Sequence, residues 1–451
     1  MRVFAASARG YYLKGWRYSK DTDRLVAEAL EREQWSQAEW EEWQQERLAH
    51  LLRRASTSVP FYRQQWRDRR KKGDKASPEY LENWPILVKE DLRADPHAFI
   101  ADDCDYRKMY ADHTSGTTGK PLTIFLSRET VRAWYALFEA RVRVWNGLSR
   151  NDRWAILGGQ MIAAPNRRRP PFWVWNAGLN QLYLSVYHLG PEHIEDYLEA
   201  MRRHGVIYIL GYASSLNVMA NLAIEQGLEP PNLALAISNA EPLNSSQRET
   251  IARAFRSDVR DTYGAVELTC AASECHSGVM HIWPEAGIIE IMQDQAAELA
   301  EPGSTGRMIC TGLLNTDMPL IRYEIGDRGA LDASTGQCLC GRTLPRLRRI
   351  EGRMADVVVT RDGRRIWGLL GPTFGGLHVK EGQLVQEDFD RIRVRFVPAS
   401  GFAEAERTAI VERLRFRLGD VSVELEPVER IPRSANGKFQ AVISRISPPV
   451  S

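Results

Sequence analysis

The segment Thr114-Ser-Gly-Thr-Thr-Gly-Lys120, followed by Pro121, decides the fold expected of this chain. Two glycines let its backbone approach a ligand closely and adopt positive φ angles. Its hydroxyls, backbone N–H groups and single ammonium suit phosphate oxygens. A Walker A loop has four residues between its glycines and Ser or Thr after its Lys, so this segment is a different motif. It predicts a phosphate-binding loop, with a flexible turn as the alternative.

The chain beyond this loop alternates short apolar runs with helical patterns, which predicts an α/β sheet with helices on its faces. In such sheets, ligands bind in the loops beyond the carboxyl ends of the strands, and the polar motifs of this chain fall in those loops. Strands are predicted at residues 122–126, 154–157, 206–210 and 233–237, and amphipathic helices at residues 216–226 and 246–255.

The two ends of the chain predict further units. Residues 22–55 have helical spacing, and Ser36 and Glu39 form a capping box at the start of an amphipathic helix. Beyond about residue 352, alternating strands near residues 392–396 and 421–426 enclose a helix, which predicts a small α+β unit.

Composition excludes several classes of protein. The 451 residues are 43% apolar and 26% charged, the balance of a globular chain. A net charge of only +2 gives no indication of nucleic acid as a partner. No apolar stretch is long enough for a membrane span and the N-terminus lacks a signal-peptide pattern, so a cytoplasmic protein is expected. Six cysteines in a chain of this length do not indicate a disulfide framework.

Three later segments carry polar groups that suit a nucleotide. In residues 261–267, Tyr263 can stack on a purine, and Glu267 can hold Mg²⁺ beside phosphates. Asp327 can accept hydrogen bonds from ribose hydroxyls, and Lys438 lies in a polar turn near the C-terminus. Taken singly, each segment is also compatible with an ordinary turn or strand end.

In order and separation, these segments resemble those of the adenylate-forming superfamily, which contains acyl-CoA synthetases, luciferases and the adenylation domains of peptide synthetases. The similarity runs from about residue 35 to the end. Residues 59–62 (Val-Pro-Phe-Tyr), residues 239–243 (Asn-Ala-Glu-Pro-Leu) and a cysteine-rich element resemble the phenylacetate–CoA ligase branch, including relatives associated with capsule polysaccharide loci.

The resemblance implies an enzyme that uses ATP and Mg²⁺ to convert a carboxylic acid into an acyl-AMP, releases pyrophosphate and passes the acyl group to CoA. It implies a large, multi-sheet N-terminal adenylation domain over residues 1–351, with a helical lead-in at residues 1–60. A hinge at residues 352–356 would join it to a small, mobile α+β domain over residues 357–451.

The resemblance also implies roles for individual residues. Thr114, Ser115, Gly116, Thr117, Thr118, Gly119 and Lys120 would surround the phosphates of ATP. Asn239, Ala240, Glu241, Asp261, Tyr263, Gly264 and Asp327 would surround its adenosine. Glu267 would bind Mg²⁺, Arg353 would reach the ribose or a phosphate, and Lys438 would bridge the substrate carboxylate and the α-phosphate.

The predicted hinge departs from the family pattern. Many relatives have Asp or Lys two positions after the hinge arginine, whereas this chain has Ala355 there and Asp356 next. The pivot would then lie at Asp356, or the rotation would be less well specified. The transfer step therefore depends on family resemblance alone.

The cysteine-rich element predicts a structural zinc site, because three thiolates and one imidazole are a usual ligand set of a closed tetrahedral site. The spacing is not that of a standard finger, but similar sets occur in some phenylacetate–CoA ligase relatives. His276 and Cys270 are competing ligands, unrelated buried thiols are the alternative, and Cys310 is expected to be a buried thiol. The four expected ligands are Cys275, His281, Cys338 and Cys340.

The pocket for the acid is expected beside a predicted strand end, at Gly211, Tyr212, Ala213 and Ser214. Most aromatic side chains in the following set are expected in the core, and the rest in the pocket wall or a lid. An aromatic or medium-sized apolar acid is expected. The set is Trp145, Trp154, Phe172, Trp173, Trp175, Tyr183 and Tyr187.

The acyl acceptor stays open at this level. CoA is the first expectation, and a carrier-protein thiol, an amine or a sugar hydroxyl is the alternative. A catalytically idle scaffold that binds nucleotide or a partner protein is a third reading. Lys120, Glu267, Asp327 and Lys438 together argue against the scaffold, because an idle site has no chemical need for all four.

Overall fold

The computed structural model describes residues 2–114, 122–164, 166–294, 296, 298–334, 336–353, 356–434 and 436–446. The segments that flank the predicted phosphate loop, Tyr110–His113 and Thr123–Leu126, pair as antiparallel strands. The following predicted residues lie outside the described residues: Ser115, Gly116, Thr117, Thr118, Gly119 and Lys120 of the loop, and Ala355 at the hinge.

Helices form the N-terminal part of the chain and later cover the sheet. The predicted capping box is present, because the Ser36 hydroxyl accepts from the Glu39 N–H at 3.3 Å and the Glu39 carboxylate accepts from the Ser36 N–H at 2.7 Å. The helices are α1 Arg2–Arg17, α2 Thr22–Glu31, α3 Gln37–Ser58, α4 Pro60–Lys71, α5 Lys89–Ala94, α6 Arg128–Phe138, α7 Ile194–Arg203, α8 Ala213–Glu225, α9 Ser245–Phe255, α10 Leu370–Phe374 and α11 Glu404–Leu418.

The strands begin with the pair that flanks the predicted phosphate loop. They are β1 Tyr110–His113, β2 Thr123–Leu126, β3 Trp154–Gly158, β4 Trp173–Asn176, β5 Gln181–Ser185, β6 Tyr208–Tyr212, β7 Leu235–Asn239, β8 Asp258–Gly264, β9 Ala271–Glu274, β10 Met280–Ile282, β11 Gly287–Met292, β12 Gly306–Gly312, β13 Tyr323–Leu331, β14 Arg346–Arg353, β15 Val358–Val359, β16 Arg365–Ile366, β17 Val379–Gln386, β18 Arg391–Pro398, β19 Ser422–Pro427 and β20 Val442–Ser444. The predicted strands and helices of the middle region are therefore confirmed, with small shifts at their ends.

Twelve of these strands form one sheet in the order β11-β12-β13-β14-β10-β9-β8-β7-β6-β3-β5-β4. Five neighbouring strands, β8, β7, β6, β3 and β5, are parallel, and the strands on both sides of them are antiparallel. Tyr212, Asn239 and Thr262 are register partners, so three strands end at the same edge of the sheet. This edge is where ligands of open α/β sheets bind.

The C-terminal unit has its own sheet and core. Its strands run in the order β19-β18-β17-β20, and α11 packs against them. The predicted alternation on β18 is confirmed, since Ile392, Val394 and Phe396 are fully buried and the arginines between them are not. The predicted fold class, a large α/β domain with a small α+β domain, is confirmed.

The first helix, α1, packs on β4 and α6 at one side of the large domain. Its close approach depends on two glycines: a Cβ on Gly10 would collide with the Asn176 side chain, and a Cβ on Gly178 would collide with the α1 backbone at Tyr11. No helix among the described residues is long and apolar enough to cross a membrane.

Candidate active site

A cavity of about 690 Å³ opens at the edge of the main sheet where β7 and β8 end. The predicted site residues that line it are Thr114, Asn239, Ala240, Tyr263, Gly264, Glu267, Asp327, Arg353 and Lys438. The large domain supplies all of them except Lys438, which comes from the small domain. Among the described residues, Glu241, Asp261 and residues 211–214 lie outside this lining.

One end of the cavity is built by the turns that follow β7 and β8 and by the strand β13. Ala240 has a φ of 61°, a left-handed conformation that is uncommon for alanine and that bends the chain sharply as β7 ends. The Tyr263 hydroxyl donates to Asp327 Oδ2 at 2.8 Å. Burial raises the pKa of Asp327, and the hydrogen bond from Tyr263 and the charge of Arg353 partly offset this effect.

Glu267 is buried at the wall of the cavity, where two other side chains hold one of its oxygens. Oε1 accepts from the Tyr323 hydroxyl at 3.0 Å and pairs with Lys89 Nζ at 3.4 Å. Neither contact uses Oε2. Sequence reasoning missed Lys89, which also lines the cavity. No motif in the sequence around Lys89 indicates this role, because the position of Lys89 follows from the bridge between Leu87 and Tyr323.

Lys438 reaches the cavity from a turn of the small domain. Its ammonium lies 5.7 Å from the centroid of the Tyr212 ring. Burial lowers the pKa of Lys438, Arg353 lowers it further, and the carboxylates of Glu241, Asp327 and Glu267 oppose both effects. The ammonium therefore interacts with charged groups of both the cavity wall and the loop after β7.

Glu241 connects the two domains. Its Oε1 accepts from the Phe439 N–H at 2.7 Å, and its Oε2 accepts from the Ser214 N–H, in the first turn of α8, at 3.0 Å. Gly159 lies beneath the same turn of the small domain, where a Cβ would collide with the carbonyl oxygen of Asn436. The turn that carries Lys438 is thus seated on a carboxylate and on a glycine of the large domain.

Asp261 lies on β8 beside a second carboxylate. Its N–H donates to Glu274 Oε2 at 2.7 Å, and its own carboxylate accepts from the Thr262 N–H at 3.0 Å. Burial raises the pKa of Asp261 to about 7. Asp261 itself does not line the cavity, although its partner Thr262 does.

The residues predicted to border the acid pocket lie under the small domain. The Tyr212 hydroxyl donates to the Asn436 carbonyl at 3.5 Å, and Gly211 leaves space for the Leu157 carbonyl of the neighbouring strand. The seven aromatic residues predicted as core, wall or lid do not line the cavity. Phe172 stacks on His188 at 4.4 Å, for example. Besides Tyr263, the aromatic lining consists of Trp16, Tyr110, Trp134, Tyr135, Phe138 and Trp283.

The four predicted zinc ligands come together at the far side of the sheet. Their ligand atoms all lie within 4.8 Å of one another, and Cys340 Sγ is 3.4 Å from His281 Nε2. His281 Nδ1 lies 3.2 Å from the Leu344 carbonyl, which leaves Nε2 free to bind a metal. Burial lowers the pKa of His281 to about 4, so the imidazole is neutral at pH 7. The competing candidate Cys270 is instead buried beside Cys310.

Comparisons with known proteins agree with this architecture. Residues 358–445 match the family described as CapK C-terminal domain. Protein CapK of Staphylococcus aureus is 26% identical over 419 residues, which cover 90% of this chain and 89% of CapK. The phenylacetate-coenzyme A ligase of Pseudomonas putida is 25% identical over 350 residues, which cover 76% of each chain.

The chain is similar to the phenylacetate–CoA ligase-like branch of the adenylate-forming superfamily, as its sequence indicates. Its relation to CapK within that branch agrees with the resemblance seen in the sequence. The predicted enzyme class, an adenylate-forming ligase, is confirmed by these relatives.

The arrangement of the two domains can be compared with solved structures of one ligase. The 2-hydroxyisobutyryl-CoA ligase in its postadenylation state, in complex with an acyl-AMP, matches with a TM-score of 0.69 and 22% identity, covering 92% of this chain and 91% of that one. The same ligase in its thioesterification state matches with a TM-score of 0.55.

Proposed function

We propose that this chain uses ATP to convert a carboxylic acid into an acyl-AMP, releases pyrophosphate and transfers the acyl group to CoA. One observation carries the proposal: Lys438 of the small domain lines the same cavity as Glu267 and Asp327 of the large domain. A lysine of one domain that lies beside carboxylates of the other suits a reaction between two anions, because its positive charge offsets their repulsion.

The adenosine of ATP binds at the turns after β7 and β8. Tyr263 packs against the adenine, with Asn239 and Ala240 along its edge, and Asp327 accepts hydrogen bonds from the ribose hydroxyls. The hydrogen bond between Tyr263 and Asp327 supports this role, because it orients the carboxylate before the ribose arrives. Arg353 lies beside this carboxylate and supplies positive charge to the ribose or a phosphate.

Glu267 suits the Mg²⁺ ion that the family implies. The carboxylate is buried, Lys89 and Tyr323 hold one oxygen, and the other oxygen is available as a hard ligand. When bound there, Mg²⁺ would neutralise charge on the phosphates. Lys89 orients the carboxylate and adds a second positive charge to the cavity, which Thr114 also lines.

Lys438 lowers the barrier of the first half-reaction. Attack of a carboxylate oxygen on the α-phosphorus forms a C–O–P bond and breaks the bond to pyrophosphate, which leaves with the electron pair. Both reactants are anions, so the barrier is largely electrostatic. A positioned ammonium that bridges them stabilises this transition state by about 3–4 kcal/mol, the usual value for one such donor.

The second half-reaction needs a different position of the small domain. In this proposal, residues 357–451 rotate about residues 352–356, which withdraws Lys438 and admits CoA to the acyl-AMP. The better match to a postadenylation structure than to a thioesterification structure supports assigning the present arrangement to the first half-reaction.

Glu241 is assigned to this conformational change rather than to the adenine. We expect Glu241→Ala to slow acyl-AMP formation by about tenfold, because the charge-assisted hydrogen bond that seats the Lys438 turn is lost together with the one from Ser214 that positions the carboxylate. Acyl transfer from supplied acyl-AMP to CoA should be unchanged. Pyrophosphate exchange measures the first rate, and CoA-dependent AMP release measures the second.

The matched control is Glu225→Ala. Glu225 also joins the domains, through an ion pair with Lys380 at 2.5 Å, but both side chains are partly exposed, so the pair contributes about 0–1 kcal/mol. Its loss should leave both rates within about twofold. Equal slowing of both half-reactions in Glu241→Ala would show that Glu241 supports the fold and not the arrangement of the domains.

The cysteine–histidine cluster is proposed to hold a structural Zn²⁺. The donor set and the 4.8 Å span fit a tetrahedral ion with thiolates about 2.3 Å and an imidazole about 2.0 Å from the metal. All four positions are taken by protein ligands, so this ion would have no catalytic role. It would tie β9 and β10 to the loop before β14.

Pyrophosphate exchange across a panel of carboxylic acids tests the proposed function. We expect ATP-dependent exchange with at least one acid, and no exchange without acid. CoA should then stimulate AMP release; stimulation by a carrier protein, an amine or a sugar instead would identify the other acceptor classes. No exchange with any acid would contradict the adenylation proposal and favour an idle nucleotide-binding protein.

A further inference from the structure

The part of the cavity away from Lys438 is walled by the N-terminal helix α1, which precedes the region of family resemblance. Leu13, Trp16 and Arg17 of α1 line the cavity. Beside them, α6, on which α1 packs, contributes Trp134 and Tyr135 to the same lining. The helix therefore closes a space that the residues of the sheet edge leave open.

The path from the nucleotide end to this wall is continuous. A Cβ on Gly264 would lie 3.7 Å from the Trp134 ring, so Trp134 borders the segment that contains Glu267. Trp134 also packs on Trp283, with ring centroids 5.3 Å apart. Both side chains line the cavity, so they offer an aromatic surface against which a planar ring can pack.

The position of α1 is held by several contacts. Besides the two glycines that admit it to β4, Arg132 of α6 donates to the Gly15 carbonyl at 3.4 Å. The guanidinium of Arg128 lies 4.7 Å from the Trp16 ring centroid, and Trp16 packs on Tyr110 at 5.7 Å. The wall is thus anchored at both β1 and α6.

Two charged groups at this wall have unused hydrogen-bonding capacity. The Arg17 guanidinium lies 4.3 Å from the Tyr135 ring centroid, and it makes no ion pair or hydrogen bond within the part of the chain that the structure describes. One oxygen of Asp112 accepts from the His113 N–H at 2.9 Å, and no described residue pairs with the other. Arg17, Asp112 and Tyr135 line the same cavity.

This combination selects among ligand groups. A second carboxylate would meet Arg17 but be repelled by Asp112, and an ammonium would meet Asp112 but be repelled by Arg17. A hydroxyl satisfies both, because its oxygen accepts from the guanidinium and its hydrogen donates to the carboxylate. The Tyr135 ring offers a flat face beside them.

We propose that α1 forms the far wall of the acid pocket and that Arg17 and Asp112 select an aromatic carboxylic acid with a hydroxyl group on its ring, remote from its carboxylate. The inference rests on the proposed adenylation function and specifies its substrate class. Arg17 acts as a specificity-determining residue, not as a participant in the chemistry.

The test compares matched acids in pyrophosphate exchange: benzoic, phenylacetic and 3-phenylpropanoic acids, each with and without a para hydroxyl. We expect wild-type protein to prefer the hydroxylated member of at least one pair by tenfold or more in kcat/KM, because the other member leaves the half-buried Arg17 and Asp112 without a ligand group to bond. Arg17→Met should reduce this preference by about tenfold, through a higher KM for the hydroxylated acid than for the unsubstituted one.

Lys14→Met is the control, since Lys14 lies on the same helix but is exposed and does not line the cavity. It should keep the preference. A wild type with no preference for hydroxylated acids, or an Arg17→Met variant that slows both members of a pair equally, would overturn the inference.

Binding of the same acids, followed by quenching of tryptophan fluorescence, separates this inference from the proposed function. Trp16 and Trp134 line the cavity, so a bound acid should change the tryptophan emission. Binding that favours hydroxylated acids and depends on Arg17, with no exchange for any acid, would support the pocket and contradict the adenylation chemistry. Pyrophosphate exchange that depends neither on the ring hydroxyl nor on Arg17 would support the adenylation chemistry and contradict the proposed pocket.

Discussion

Replacement of Lys438 by alanine should lower pyrophosphate exchange by about 10²- to 10³-fold, the usual effect of removing a group that stabilises developing charge. The ammonium interacts with the carboxylates of Asp327 and Glu267 in the cavity. It neutralises charge only while the carboxylate attacks the α-phosphorus. Transfer of the acyl group from synthetic acyl-AMP to CoA should therefore persist in the variant.

The control for this prediction is Lys108→Ala, which removes an exposed lysine that lies outside the cavity lining. It should leave exchange unchanged. Full exchange in Lys438→Ala would remove the observation on which the proposed function depends. Equal loss of both half-reactions would instead mean that the substitution disturbs the docking of the small domain in general.

Loss of the cysteine–histidine cluster should have the second large effect, on stability. Purified protein should contain about one equivalent of zinc, and the double substitution of Cys338 and Cys340 by serine should abolish it. Because a structural zinc ion contributes its binding energy to folding, we expect the variant to lose more than about 3 kcal/mol, measured as a fall in the thermal unfolding midpoint.

Cys104→Ser is the matched control, because Cys104 is a half-buried thiol outside the cluster. It should retain zinc and unfold close to the wild type. A metal content clearly below one equivalent in wild-type protein, or an unchanged unfolding midpoint in the double variant, would favour unrelated buried thiols around His281.

The elements that could be predicted from the sequence are those with local signals. The capping box at Ser36, the buried run of β7 and the alternation on β18 each specify a structure within a few residues. The polar motifs were also recognisable, because nucleotide chemistry requires particular groups at strand ends. The parallel pairing of β7 and β8 brings Asn239 and Tyr263 to one edge, whereas Asp327 comes from β13 and Lys438 from the small domain.

The features that could not be predicted depend on contacts between distant parts of the chain. Lys89 reaches Glu267 only because Leu87 pairs with β13, and Glu241 meets Phe439 only because the domains dock. The aromatic wall shows the same limit, because the sequence around a tryptophan does not indicate whether its ring packs in the core or faces a ligand. Trp175 stacks on His204, whereas Trp134 faces the cavity.

In the proposed rotation, the absence of a side chain at Gly159 favours the arrangement in which the small domain is seated on the large one. The Asn436 carbonyl occupies the space that a side chain at this position would need. A single added methyl group would leave the cavity walls intact but oppose the seated position of the turn that carries Lys438. Substitution at Gly159 would thus shift the populations of the two arrangements from a position that contacts neither substrate nor nucleotide. Such a variant would hold the protein in its acyl-transfer form for structural work.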